Sequence, residues 1–128
     1  EDYILDILEA FRDASAAVES SGRRVCYVAG ADLAHIGPEF GDPLPIDNAR
    51  LQILSDTERQ RLEHLERGDP AAFHAAVEHQ GNPDRVCGTT PMFLAASLAG
   101  GCGRLLHYGQ ATADAGQLTV SYCGMVFE

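Results

Sequence analysis

The chain contains no lysine and no tryptophan, and only four of its 128 residues are cysteine. All nine basic residues are arginine, which reads as a compositional bias and not as a functional signal. No two cysteines stand in a C-x-x-C pair, so a structural zinc ribbon is excluded. The first residues lack a basic stretch followed by an apolar one, so no secretory signal is read there. Cys26, Cys87, Cys102 and Cys123 are therefore expected as free thiols in a reducing, cytoplasmic compartment. No apolar run approaches the roughly 20 residues that cross a bilayer. A glycine-rich phosphate cradle, a G-x-S-x-G elbow and an H-E-x-x-H pair are all missing. Basic charge is scarce as well: 19 acidic residues against 9 basic ones leave a formal net charge of −10. Such a surface repels phosphate backbones and anionic lipid, so neither nucleic acid nor membrane is expected as a partner.

What is present fits one small domain with a core of its own. Ile4, Leu5, Leu8, Phe11 and Val18 recur at helical spacing and predict an amphipathic helix over Asp2 to Ser20, stopped by Ser21-Gly22. The helix has no cap or turn ahead of it, which reads as upstream sequence missing from this segment. Val25 to Ala29 is short, apolar and β-prone, as a buried central strand should be. Ala31 to Ile46 reads as an ordered loop rich in Pro and Gly. Asp56-Thr57 predicts a cap for a helix over Glu58 to Glu66. Asp69-Pro70 opens another that runs to about Gln80. Thr90 caps a third at Pro91, with Met92 to Leu98 as its body and Gly100-Gly101 closing it. Arg104 to Ala111 and Leu118 to Phe127 alternate as strands and form an antiparallel pair through Asp114-Ala115-Gly116. The expectation is an α/β domain with helices on both faces of the sheet. Three strands make a thin sheet, and so apolar a first strand calls for neighbours on both edges. An uncovered edge of this kind also predicts self-association into a homo-oligomer.

Two places could carry chemistry. Asp32 and His35 lie just past the end of the predicted central strand, where open α/β sheets place their sites. Three residues apart, the carboxylate could orient the imidazole or share a metal with it. The alternative is a loop stapled by hydrogen bonds. Cys87 sits just before a helix start, where the helix dipole and free N–H groups favour a thiolate, or it is a small residue at a turn. Tyr108 and Gln110 alternate onto one strand face and either line a cofactor or ligand pocket or pack within the sheet. Glu39 and Asp42 add negative charge near the loop. Cys26, Cys102 and Cys123 read as core or strand thiols.

These pieces, in this order, resemble a known family. Asp32-x-x-His35-x-Gly37 with Phe40 resembles the D-F-x-H-x-G segment of the Memo family, whose bacterial and archaeal members carry the label AmmeMemoRadiSam system protein B. Asp69-Pro70 opens a helix, as it does there. Cys87-Gly88 followed by Pro91 is similar to the family's C-G-x-x-P-I segment. Tyr108-Gly109-Gln110 is similar to its Y-x-Q strand and Val120-Ser121-Tyr122 to its terminal V-S-Y strand. Leu33 and Ile36 depart from the family, which has aromatic residues there. The resemblance implies that residues 1–128 are the C-terminal part of one Memo-like domain, since members run to roughly twice this length. It implies a three-layer α/β/α fold with a mixed sheet, related to the extradiol (LigB-type) non-haem-iron dioxygenases. It also implies an iron or copper site of oxidoreductase character with Asp32, His35 and Cys87 on one side of it. Two histidines of the absent half complete that site.

Two other functions fit the same residues. One is a non-catalytic module that binds a peptide or small ligand in the pocket. The other is thiol hydrolysis or transfer, with Cys87 as nucleophile, His35 as base and Asp32 orienting it.

Overall fold

A computed structural model describes residues 2–128 of the chain. Four helices and three strands follow in the order α1 (Asp2–Glu19), β1 (His35–Ile36), α2 (Asn48–Glu66), α3 (Pro70–Glu78), α4 (Thr89–Ala99), β2 (Gly103–Ala113) and β3 (Leu118–Phe127). Short 3-10 turns occupy Pro38–Phe40 and Asp114–Gly116. The architecture is a mixed helix and strand domain with a small sheet of order β1-β3-β2.

The hairpin forms as its alternation predicts. β2 and β3 pair antiparallel from Gly103↔Phe127 to Ala113↔Leu118, with one irregularity between Leu105 and His107. β3 is the central strand, because β1 pairs along its other side through His35↔Val120 and Ile36↔Thr119. Thr119 and Ser121 on β3 are fully buried, and Cys123, Met125 and Phe127 on the same face pack against the core. Tyr122 on the opposite face is exposed.

The described helices and strands fit the expected α/β class, and the sheet they contain is a small antiparallel one. Both strand pairings are antiparallel, and the buried core lies on the β3 face that meets the helices. The segment Val25 to Ala29, expected as a buried central strand, forms no strand. It keeps a period-two alternation, with positions 25, 27 and 29 half-buried and 26, 28 and 30 exposed. A strand needs a hydrogen-bonded neighbour, and among the described residues none pairs with it. It lines a groove with α1, α4 and the end of β3 instead.

Helix boundaries follow from what caps them. α2 begins ten residues before the expected Glu58, because Asp47 accepts a hydrogen bond from Arg50 N at 2.8 Å and serves as its cap. Asp56 and Thr57 lie inside the helix and satisfy themselves one turn back, with Asp56 on Gln52 Nε2 and Thr57 Oγ1 on Ile53 O. A threonine bonded in this way no longer marks a helix start. α3 begins as predicted, with Asp69 accepting from Ala72 N and Pro70 in the first turn. α4 starts at Thr89, one residue before the expected cap Thr90.

Leu54, Glu58, Leu62 and Leu65 form the buried stripe of α2. They meet Phe73 and Val77 of α3, Ala96 of α4, and Leu33, Ala34 and Ile36 of the loop and β1. Each large apolar side chain buried here contributes about 1.5–3 kcal/mol. The stripe holds one charged residue, Glu58, and its position decides how the loop above it is held. Cys26 and Cys102 are exposed and Cys123 half-buried, and all four thiols are free. This corrects the reading of Cys26 and Cys102 as core or strand residues. No helix among the described residues is long and apolar enough to cross a membrane.

Candidate functional site

Asp32 and His35 share one loop, and the turn that carries Cys87 packs against the backbone of that loop. The junction before α4 lies against the loop: Cys87 N donates to Leu33 O at 3.3 Å, and Cys87 Sγ donates to Asp32 O at 3.4 Å. Gly88 makes this approach possible, since a Cβ there would stand 2.4 Å from Asp32 O. Asp32 Oδ2 lies 3.9 Å from His35 Nε2. The Asp32 and Cys87 residues are exposed and the His35 ring is partly buried, so the cluster opens to solvent.

His35 is the most firmly held of the three. Its N–H donates to Asp84 O at 2.9 Å, and its Nδ1 lies 3.2 Å from Arg85 O. A backbone carbonyl accepts only from a protonated Nδ1, and in the neutral ring this puts the lone pair on Nε2, which faces Asp32. Phe40 packs edge-on against the ring, with centroids 5.3 Å apart. Arg85 closes the loop from outside: its Nε donates to His35 O at 2.8 Å and its Nη2 to Asp42 Oδ1 at 2.6 Å. Arg85 has φ of 54°, a conformation uncommon for a side-chain-bearing residue and retained where surrounding contacts enforce it. Burial pushes the Asp42 carboxyl up, but the Gly37 N–H and the Arg85 guanidinium outweigh this and hold it below its ordinary value.

Below the loop, Glu58 accepts three hydrogen bonds. Ala34 N donates to Oε1 at 3.1 Å, Ser121 Oγ to Oε1 at 2.7 Å, and the Tyr108 hydroxyl to Oε2 at 2.6 Å. Gln110 Nε2 donates both to the Tyr108 oxygen and to Leu51 O. Tyr108 and Gln110 thus spend their polar groups on this buried network, and neither bonds to Asp32, His35 or Cys87. Arg59 lies over the Tyr108 ring at 5.1 Å. Burial and the neighbouring Glu58 push the Tyr108 hydroxyl well above its usual value. The same two causes push the Cys123 thiol up to about 11, so Cys123 stays protonated at neutral pH.

Burial also pushes Glu58 up, and its three donors offset this only in part. A carboxyl whose folded-state value is raised stabilises the fold most at low pH, and the contribution is lost as pH rises through the raised value. We expect the unfolding free energy of wild type minus that of Glu58→Gln to fall as pH rises from 4.5 toward neutrality. Paired denaturant titrations would check this; a difference that rises or stays flat would contradict it.

Sequence reasoning singled out Asp32, His35 and Cys87 but not Glu58, Asp84 and Arg85, which hold the loop in place. Their roles depend on partners tens of residues away, and nothing local marked them. In donor chemistry, imidazole, carboxylate and thiol are metal ligands. However, no three His, Cys, Asp or Glu side chains among the described residues are grouped closely enough to enclose an ion.

A family model described as Memo-like protein matches residues 7–126, nearly the whole chain. No curated protein sequence matches it. The chain belongs to the Memo-like family.

Proposed function

We propose that this Memo-like chain provides His35, Cys87 and Asp32 to a centre for a redox-active first-row metal, iron or copper, in a protein of oxidoreductase character. The observation that carries the reading is the setting of His35: its Nδ1 lies against Arg85 O and its Nε2 faces the Asp32 carboxylate, while Cys87 Sγ donates to the Asp32 carbonyl. A backbone hydrogen bond on one ring nitrogen is the usual device for presenting the other to a metal. Such a metal supplies Lewis acidity and one-electron chemistry. The chain's own residues orient the imidazole, provide a thiol that ionises on binding, and place a carboxylate as ligand or as partner to the ring. Kinship with the extradiol (LigB-type) dioxygenases belongs to this reading and rests on the order of the family motifs. Two or three donors do not close a site, so the remaining ligands come from outside this cluster.

The thiol-transfer alternative has less support, because Cys87 Sγ donates to the Asp32 carbonyl and not to the His35 ring. Cobalt(II) titration tests the metal reading. The protein should develop a sulfur-to-cobalt charge-transfer band that Cys87→Ser abolishes. His35→Ala should weaken binding at least about tenfold. Equal affinity and an unchanged spectrum in both variants would rule the site out.

A further inference from the structure

Glu58 stands where the pattern of its own helix asks for an apolar residue. It is 1% exposed, between Leu54 and Leu62 on the buried stripe of α2. No cation bonds to it; its three partners are an amide and two hydroxyls. Burying a carboxyl on these terms is costly, and leucine or methionine would continue the stripe without that cost.

The contacts show what the carboxyl accomplishes. Oε1 takes the N–H of Ala34, one of the two residues between Asp32 and His35, so it fixes a peptide on which the Asp32–His35 spacing depends. Ser121 Oγ accepts from the same N–H at 2.8 Å and donates to the same Oε1. Oε2 is tied to Tyr108, which is tied to Gln110, which returns to Leu51 O on α2. The circuit joins α2, β2, β3 and the loop, and among the described residues no buried side-chain polar atom lacks a partner. A closed network of this kind holds one geometry more firmly than its separate bonds would.

We propose that Glu58 is a positioning residue for the Asp32–His35 pair, acting through the Ala34 amide and braced by Tyr108 and Ser121. The inference rests on the metal-site reading for its purpose, while its geometry stands apart from it. Residues that orient a ligand histidine typically change metal affinity when removed, and Glu58 holds the amide of Ala34, the residue before His35. Tyr108 and Gln110 acquire their role here, as braces of Glu58 and not as pocket lining.

The test compares wild type with Glu58→Met, which fills the space without an acceptor, and with Glu58→Gln, which keeps one. In Glu58→Met, the Ala34 amide should exchange with solvent at least about 100-fold faster, while the β2–β3 ladder keeps its protection. The His35 ring nitrogen shifts should move away from a single Nδ1-protonated tautomer. Cobalt(II) affinity should fall about 10- to 100-fold. Glu58→Gln should restore Ala34 protection to within about tenfold of wild type. A folded Glu58→Met with unchanged Ala34 exchange and His35 shifts would overturn the proposal, as would a glutamine that restores neither. Should Glu58→Met fail to fold, Ser121→Ala decides: Ala34 stays protected if Glu58 holds it and loses protection if Ser121 alone did. Wild type that binds no cobalt would defeat the metal reading alone, since the Ala34 and His35 signals judge Glu58 without any metal.

Discussion

Gly37→Ala is expected to lower the unfolding free energy by about 4 kcal/mol, the sum of backbone strain and overpacking. Gly37 follows β1 directly and has φ of 117° and ψ of 170°, a region of backbone space essentially reserved for glycine. A Cβ there would stand 2.4 Å from Gln117 O, 2.9 Å from Gln117 C and 3.0 Å from Leu118 Cα. All three are backbone atoms at the start of β3, and none can rotate aside. The methyl must push β1 off β3 beside the Ile36↔Thr119 pair, one residue from where His35 pairs with Val120. Gly37 N also donates to Asp42 Oδ2 at 2.7 Å, which links the strain to the Arg85 clamp. Gly41→Ala is the control: its φ is also positive, at 96°, but nothing lies within 4 Å of a Cβ there. It should cost only about 1 kcal/mol, the strain alone. Urea midpoints for the two variants separate strain from clash, and equal losses would contradict the steric argument.

The contrast between these glycines shows which parts of the structure were legible in the sequence. Features governed by neighbours in the chain were readable. Asp69-Pro70 starts α3 by local capping, Gly100 ends α4, and the alternation of Leu118 to Phe127 forms β3. The motif order that contains Asp32, His35 and Cys87 was readable as well, since it pointed to the family whose model matches residues 7–126. Features set by distant partners were not. Val25 to Ala29 has the composition and alternation of a strand, yet a ladder needs a second strand, and composition cannot provide one. Glu58 looks like any charge near a helix start until Ser121 and Tyr108, 63 and 50 residues away, are seen on its oxygens. Asp56-Thr57 has cap chemistry, but Asp47 caps first and turns both into interior residues.

Asp84 belongs to the same illegible class and carries the second large effect. It is 5% exposed and receives Arg50 Nη2 at 2.6 Å and Arg61 Nη1 at 2.9 Å, both from α2. Its carbonyl accepts from His35 N, so one residue ties α2 to the loop and to the histidine. Asp84→Ala leaves the Arg61 guanidinium, whose side chain is only 11% exposed, buried beside an empty space. Breaking a buried pair from one side costs about 3–5 kcal/mol, because the remaining charge has lost its compensation. The whole loss does not measure what the pair contributes, since much of it is the penalty on the orphaned arginine. The double variant Asp84→Leu with Arg61→Met removes both charges and fills the space with apolar atoms. It should regain at least about 2 kcal/mol relative to Asp84→Ala, as replacement of buried ion pairs by apolar groups commonly does. Arg50, whose side chain is 37% exposed, can turn to solvent and should not hold the double variant back. Denaturant unfolding of the three proteins decides between these contributions. Should the double variant be no more stable than Asp84→Ala, the pair itself, and not the orphaned charge, carries the stability that joins α2 to the loop.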